Sequence, residues 1–114
     1  MAFTPVDVAR FGALAAIAVN ADMDNTGRQK TDRRTQLPRW KVQCLLKRHE
    51  EGRAQLINIT IPSQTEPDFV PMTQVVPTNL VAMDWATDNG HGLAYFADGL
   101  EEVESTGLVP SFAN

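Results

Sequence analysis

Residues 39–48 (RWKVQCLLKR) and 53–61 (RAQLINITI) are the stretch on which the fold turns. In the first, Trp40, Val42, Cys44 and Leu46 alternate with Lys41, Gln43, Leu45 and Lys47. Successive side chains of a strand point to opposite faces, so this alternation predicts a half-buried strand with a basic outer face. In the second, Ile57, Ile59 and Ile61 share one face, and Leu56, Asn58 and Thr60 share the other. His49-Glu50-Glu51-Gly52 lies between them and reads as the turn of a hairpin.

Working outward, residues 20–38 are rich in Asp, Asn, Thr, Arg and Gly and show no apolar period. They read as a long, mobile polar loop bearing Arg28, Lys30, Arg33 and Arg34. Before the loop, residues 11–19 (FGALAAIAV) are either a strand, as Ile17 and Val19 favour, or a helix, as the alanines favour. We take them as a strand. After the hairpin, residues 62–72 hold Pro62, Pro67 and Pro71, which rules out a regular helix or a central strand there.

Residues 73–85 (TQVVPTNLVAMDW) then read as a strand broken near Pro77. Asp88-Asn89-Gly90 is a tight-turn signal, because Asn and Gly tolerate positive φ. Residues 92–98 (GLAYFAD) read as the last strand, and residues 99–114 as a loosely held acidic tail. The expected fold is therefore all-β: a small five-stranded, OB-like barrel with a long basic loop. At 114 residues the chain suits one domain, with an ordered core over about 8–104 and a tail over 105–114.

Composition narrows the function classes. Hydrophobic residues make up 43% and charged residues 21%, which suits a folded core and not a disordered chain. No apolar run approaches the roughly 20 residues that span a bilayer. Asp7 and Arg10 precede a run that leads into Asn20-Ala21-Asp22, unlike a secretory signal. One cysteine, Cys44, allows no internal disulfide and no multi-cysteine zinc site. The expectation is a cytoplasmic protein with no membrane contact, no metal and no cofactor.

Charge is unevenly spread. All ten Lys and Arg residues lie between Arg10 and Arg53, so residues 1–53 carry +4 and residues 54–114 carry −8. Such asymmetry suggests a nucleic-acid surface or an acidic tail unless folding intermixes the two halves.

The strand entered through Pro38-Arg39-Trp40-Lys41-Val42 is followed by the 53–61 strand ending at Pro62. A proline-containing connector, a strand with Leu80 to Trp85 and the 92–98 strand complete a pattern over roughly residues 37–99. In this pattern the chain resembles small OB-fold proteins of actinobacterial plasmids and integrative conjugative elements. The resemblance implies a single-stranded DNA-binding module working in plasmid or conjugative-element processing. A Gly/Gln-rich linker and an acidic-hydrophobic tip, as in bacterial replicative single-strand binding proteins, are not seen. The sequence ends in Val109-Pro110-Ser111-Phe112-Ala113-Asn114.

Binding a single strand, DNA or RNA, needs cations for phosphates and aromatics for bases. Arg28, Lys30, Arg33, Arg34, Arg39, Lys41 and Lys47 are the expected phosphate contacts, and Arg48 and Arg53 add to the basic supply. Trp40 shares a face with Val42 and Cys44 and is expected in the core. Trp85 and Tyr95 are the expected stacking platforms, with Tyr95 and Phe96 on opposite faces.

Signals for catalysis are poor. His49 and His91, the two histidines, sit beside turn residues, and no P-loop, G-x-S-x-G or G-x-G-x-x-G is present. Cys44 lies within a strand pattern and is expected to be buried and inert. Asp84, Asp88 and Asp98 fall near one hairpin end, where turn carboxylates gather without holding a metal. The competing expectation is a protein–protein adaptor or oligomeric assembly subunit, with the acidic stretch from Glu66 to Glu104 as its surface and the basic half as its complement.

Overall fold

A computed structural model describes residues 3–7, 11–47, 54–87 and 90–103. Every named element is a strand: β1 (Phe3–Pro5), β2 (Ala13–Ala21), β3 (Arg39–Lys47), β4 (Ala54–Pro62), β5 (Thr73–Thr78), β6 (Val81–Thr87), β7 (Gly90–Phe96) and β8 (Gly99–Glu102). They form one eight-stranded sheet in the order β1-β6-β7-β4-β3-β2-β5-β8. Although β8 is an edge strand in that order, it packs against β4, so the sheet curls into a half-barrel. No helix among the described residues is long and apolar enough to cross a membrane.

The alternations at the centre of the sequence are obeyed. β3 and β4 pair antiparallel from Arg39↔Pro62 through Lys47↔Ala54. Val42, Cys44 and Leu46 are buried from one strand, and Ile57, Ile59 and Ile61 from the other. Burial of each such aliphatic side chain contributes about 1.5–3 kcal/mol, which sets the register of the sheet. The connecting residues 48–53, with Arg48, His49 and Arg53, lie outside the described residues.

Residues 13–21 are a strand despite their alanines. β2 pairs with β3 from Ala13↔Lys47 to Ala21↔Trp40, with a bulge between Ala16 and Ala18. The bulge switches the phase of the strand, so Leu14 and Ala16 before it and Val19 after it all meet the core. Alanine's helix preference loses to cross-strand pairing and burial.

Where five strands were expected, eight are found among the described residues. One of the extra three is β1, which pairs with β6, and the other two come from the last two segments. β6 pairs with β7 from Thr87↔Gly90 to Val81↔Phe96. β5 pairs with β8 from Thr78↔Gly99 to Val75↔Glu102, in the same continuous register. The two pairs are the outer and inner halves of one long hairpin, bent at Asn79–Leu80 on one strand and Ala97–Asp98 on the other. The break falls at Asn79, not at Pro77, which sits inside β5 opposite Leu100. Asn79 takes φ 52, a left-handed conformation that its short amide tolerates.

One further expectation is corrected. The segment after Asp98 begins with a strand, since β8 pairs with β5 and its Glu101 and Glu102 face water at the sheet edge. Charged side chains there discourage edge-to-edge association. Positions 88–89 of the expected tight turn and the tail over 104–114 lie outside the described residues. The proline-rich connector forms no helix or strand beyond Pro62. Ser63 N donates to Pro38 O and Met72 N to Ala16 O, which lays the connector across the sheet from β4 back to β2. The core gathers Phe11, Leu14, Val42, Leu46, Ile59, Val75, Leu80 and Tyr95.

Candidate functional site

The loop between β2 and β3 is an arm laced by local hydrogen bonds. Asp24 Oδ1 accepts from the backbone N–H of Thr26 and Arg28, and Asp32 Oδ2 accepts from those of Arg34 and Thr35. These are local side-chain turns of the kind aspartate favours, and they brace a loop that has no apolar face of its own. The bond from the Thr26 hydroxyl, then those from the backbone, hold the Asp24 carboxyl below its usual value. The Thr35 backbone N–H does the same for Asp32. At the base of the arm, Asp22 N donates to Arg39 O, Arg39 N to Lys30 O, and Lys30 N to Asp22 O. The polar composition that suggested a mobile loop supplies these turns.

The arm leans over the outer face of the sheet and encloses a groove of about 1150 Å³. One wall is the arm, with Lys30, Asp32, Arg33 and Arg34; the floor carries Arg39 and Lys41 of β3 and Thr60 of β4. The far wall is Val81 and Met83 of β6 with Ala94 and Phe96 of β7, closed at the bend by Asn79 and Asp98. Pairing aligns Asn20, Lys41, Thr60, Phe96 and Val81 in one row across five strands. Tyr95 falls on the opposite face by the two-residue period of the strand.

Five of the seven cations expected at the site therefore converge: Lys30, Arg33, Arg34, Arg39 and Lys41. Arg28 lies on the arm outside the groove, and Lys47 is at the far end of β3, opposite Ala13 and Ala54. Tyr95 is a correction. It is 8% exposed and packs on Phe11 with ring centroids 5.4 Å apart, so it belongs to the core and offers no open face. Phe96, its neighbour on the opposite face, is the groove's aromatic. Trp85 sits on β6 opposite Gly92, and its side chain falls outside the described residues. Trp40 is half-buried against the core, as expected, and donates through Nε1 to Ser63 O.

Three acidic side chains enter the groove that the sequence did not single out for it. Asp22 is 1% exposed; Arg39 Nη2 lies 2.9 Å from its Oδ2, and Lys41 Nζ lies 3.6 Å from its Oδ1. These are close ion pairs without hydrogen-bond alignment, since neither oxygen nor Arg39 Nε meets that geometry with a protein partner. The Arg39 guanidinium carbon stands 5.3 Å from the centre of the Phe96 ring, a cation–π stack. Asp98 accepts from Arg34 Nη2 at 2.7 Å and from Asn79 Nδ2 at 2.8 Å. The Asn79 bond first, then Arg34, holds the Asp98 carboxyl below its usual value. Asp32, the third, turns its Oδ2 to Arg34 N and Thr35 and so braces the arm.

Cys44 is buried under the sheet, and burial pushes its thiol up to about 11. It takes no part in the groove. Among the described residues no three His, Cys, Asp or Glu side chains come together as a metal site would require. Asp84 is exposed on β6, apart from Asp98, and Asp88 lies outside the described residues. The groove combines cations, an apolar wall and one aromatic face. That set suits a flexible anion with planar apolar parts. No protein-family model, curated protein or solved structure matches this chain.

Proposed function

We propose that the protein is a non-catalytic binder of single-stranded nucleic acid, DNA in the first instance, which it takes into the groove between the β2–β3 arm and β6–β7. The observation that carries the reading is the convergence of Lys30, Arg33, Arg34, Arg39 and Lys41 around Phe96. Phosphates would meet the cations while a base stacks in the Phe96–Arg39 region. Stacking is worth about 1–3 kcal/mol per base and asks for a π-face, not for a particular base. A duplex hides its base faces and gains only the electrostatic part.

The strand connectivity supports an OB-type reading. β2, β3 and β4 are consecutive antiparallel neighbours, and the next strand, β5, returns to lie beside β2. That is a Greek key. Taking the bent pair β5–β6 as one strand and β7–β8 as another leaves five barrel strands plus the short edge strand β1. An OB-fold is a five-stranded, partly open Greek-key barrel that binds oligonucleotides on its second and third strands and adjoining loops. Here β3, β4 and the arm occupy those places. A role in plasmid or conjugative-element processing follows only from the resemblance of the sequence.

The test is fluorescence anisotropy of a labelled oligo-dT, with a duplex of equal length as control, at low and moderate salt. Binding confined to the single strand and weakened by salt is the expected result. Flat anisotropy at high protein concentration would sink the reading and direct attention to the acidic β8 edge, Glu101 and Glu102, as a protein-binding surface.

A further inference from the structure

We infer that Asp22, a carboxylate in a groove built for a polyanion, is a positioning residue that strengthens binding by fixing Arg39 and Lys41. The inference rests on the nucleic-acid reading above. A negative charge beside a phosphate site weakens anion binding by simple Coulomb repulsion. Asp22 is placed so that a second effect opposes this one.

Its backbone is clamped where β2 ends, between Arg39 O and Lys30 N. Its side chain is 1% exposed, so it has no freedom to move aside. From there Oδ2 holds Arg39 Nη2 at 2.9 Å and Oδ1 faces Lys41 Nζ at 3.6 Å. Arg39 and Lys41 are two residues apart on β3 and share its outer face. One carboxylate therefore organises two neighbouring cations. Arg39 is also fixed against the Phe96 ring at 5.3 Å. With Nη2 against Asp22 and its carbon over the Phe96 ring, the guanidinium is held at the aromatic site from two sides. A free arginine would lose rotamer freedom on binding, and one already fixed avoids that cost. Gln29 Nε2 bonds to Arg39 O at 2.7 Å, which ties the arm to the same point.

Asp98 supplies the contrast. It also holds a groove arginine, but its pair with Arg34 is open to water, at 41% and 73% side-chain exposure. An exposed pair orders little and is screened. Removing Asp98's charge frees Arg34 for phosphate; removing Asp22's charge loosens the floor.

The test compares Asp22→Asn and Asp98→Asn, each one negative charge lighter, by anisotropy with oligo-dT across a salt series. Electrostatics alone predicts tighter binding for both. Positioning predicts that Asp98→Asn binds tighter while Asp22→Asn binds about tenfold weaker, the equivalent of about one lost stacking contact. Equal tightening in both variants would overturn the inference.

If Asp22→Asn fails to fold, Arg39→Lys serves instead. It keeps the charge but lacks the planar fork, so weakening of similar size is expected, and unchanged binding overturns the inference. A readout without nucleic acid is the 15N relaxation of Arg39 Nε, expected rigid in the parent and mobile in Asp22→Asn. If the parent protein fails to bind oligo-dT, the nucleic-acid reading falls. A rigid Nε in both proteins overturns the positioning role by itself.

Discussion

Arg34 and Asp98 lie 64 residues apart in sequence and meet at 2.7 Å, joining the tip of the β2–β3 arm to the bend between β7 and β8. The contact brings one of the clustered cations of the first half onto a carboxylate of the acidic second half. Asn79, on the other strand of the bent hairpin, donates to the same carboxylate. The tip of the arm thus lies against the bend at the outer end of the groove, in a contact open to water.

Opening that contact is expected to change affinity more than stability. An exposed ion pair contributes only about 0.2–1 kcal/mol, so Asp98→Asn should leave the melting temperature nearly unchanged. Calorimetry checks this. Charge reversal at Arg33 and Arg34 together, to Glu, should remove two groove cations and abolish most single-strand binding in the same anisotropy assay. Undiminished binding by that double variant would count against the groove.

The titration of Asp98 gives a second check. Its folded-state pKa is depressed below the ordinary value of 3.8. Its stabilising contribution is therefore complete above that ordinary value and is lost as pH falls through the lower folded value. Carbon-13 NMR of the carboxyl should show a midpoint below 3.8. Asn79 acts through its hydrogen bond and Arg34 through both its hydrogen bond and its charge, so Asn79→Gly and Arg34→Ala should each raise the midpoint. Glycine is chosen since position 79 has φ 52, which an alanine would strain.

Phe96 and its neighbour Tyr95 are expected to separate cleanly. Phe96→Ala should weaken single-strand binding by about 1–3 kcal/mol with a small effect on unfolding. Tyr95→Ala should cost about 3–5 kcal/mol of stability, as loss of a large buried aromatic does. Urea denaturation and anisotropy on the two variants test the pair. The opposite pattern would place the binding face on the wrong side of β7.

The salt dependence of binding should be modest. Each phosphate neutralised on a single strand contributes about −0.7 to the log–log slope, so five groove cations set a limit of about −3.5 per domain. Arg34, Arg39 and Lys41 already contact carboxylates, which moves the expected slope toward zero from that limit. A much steeper slope would mean that Arg28, Lys47 or other cations outside the groove also engage the strand.

Cys44 should resist thiol reagents in the folded protein at neutral pH, since the thiol is buried and titrates at about 11. Reagents act on the thiolate. Reaction with a chromogenic disulfide should proceed only after denaturant is added, and rapid native-state labelling would show that β3 opens.

The β3–β4 hairpin and the connector without a helix were legible because each depends on a local period or on proline. Residues 11–19, by contrast, read as strand or helix until pairing with β3 made 13–21 a strand. Phe96 was half legible: alternation put Tyr95 and Phe96 on opposite faces but not on a named side. Choosing the side needs the parallel register of β7 on β4, where Tyr95 pairs with buried Ile59 and Phe96 with Thr60. Asp22 carried no signal as a site residue, because an aspartate in a polar loop is commonplace. Only the meeting of the end of β2 with Arg39 makes it one.

By itself the sequence determined an all-β chain with a sharply alternating central hairpin and a cluster of cations confined to its first half. These follow from the two-residue period of a strand and from counting charges, both properties of neighbours along the chain. The tertiary structure alone decided that β5–β6 and β7–β8 are one bent hairpin, that five cations share a groove with Phe96, and that Asp22 and Asp98 enter it. Those depend on curling of the sheet and on pairings between residues tens of positions apart. Such pairings are selected by burial of the whole core, which no local pattern encodes.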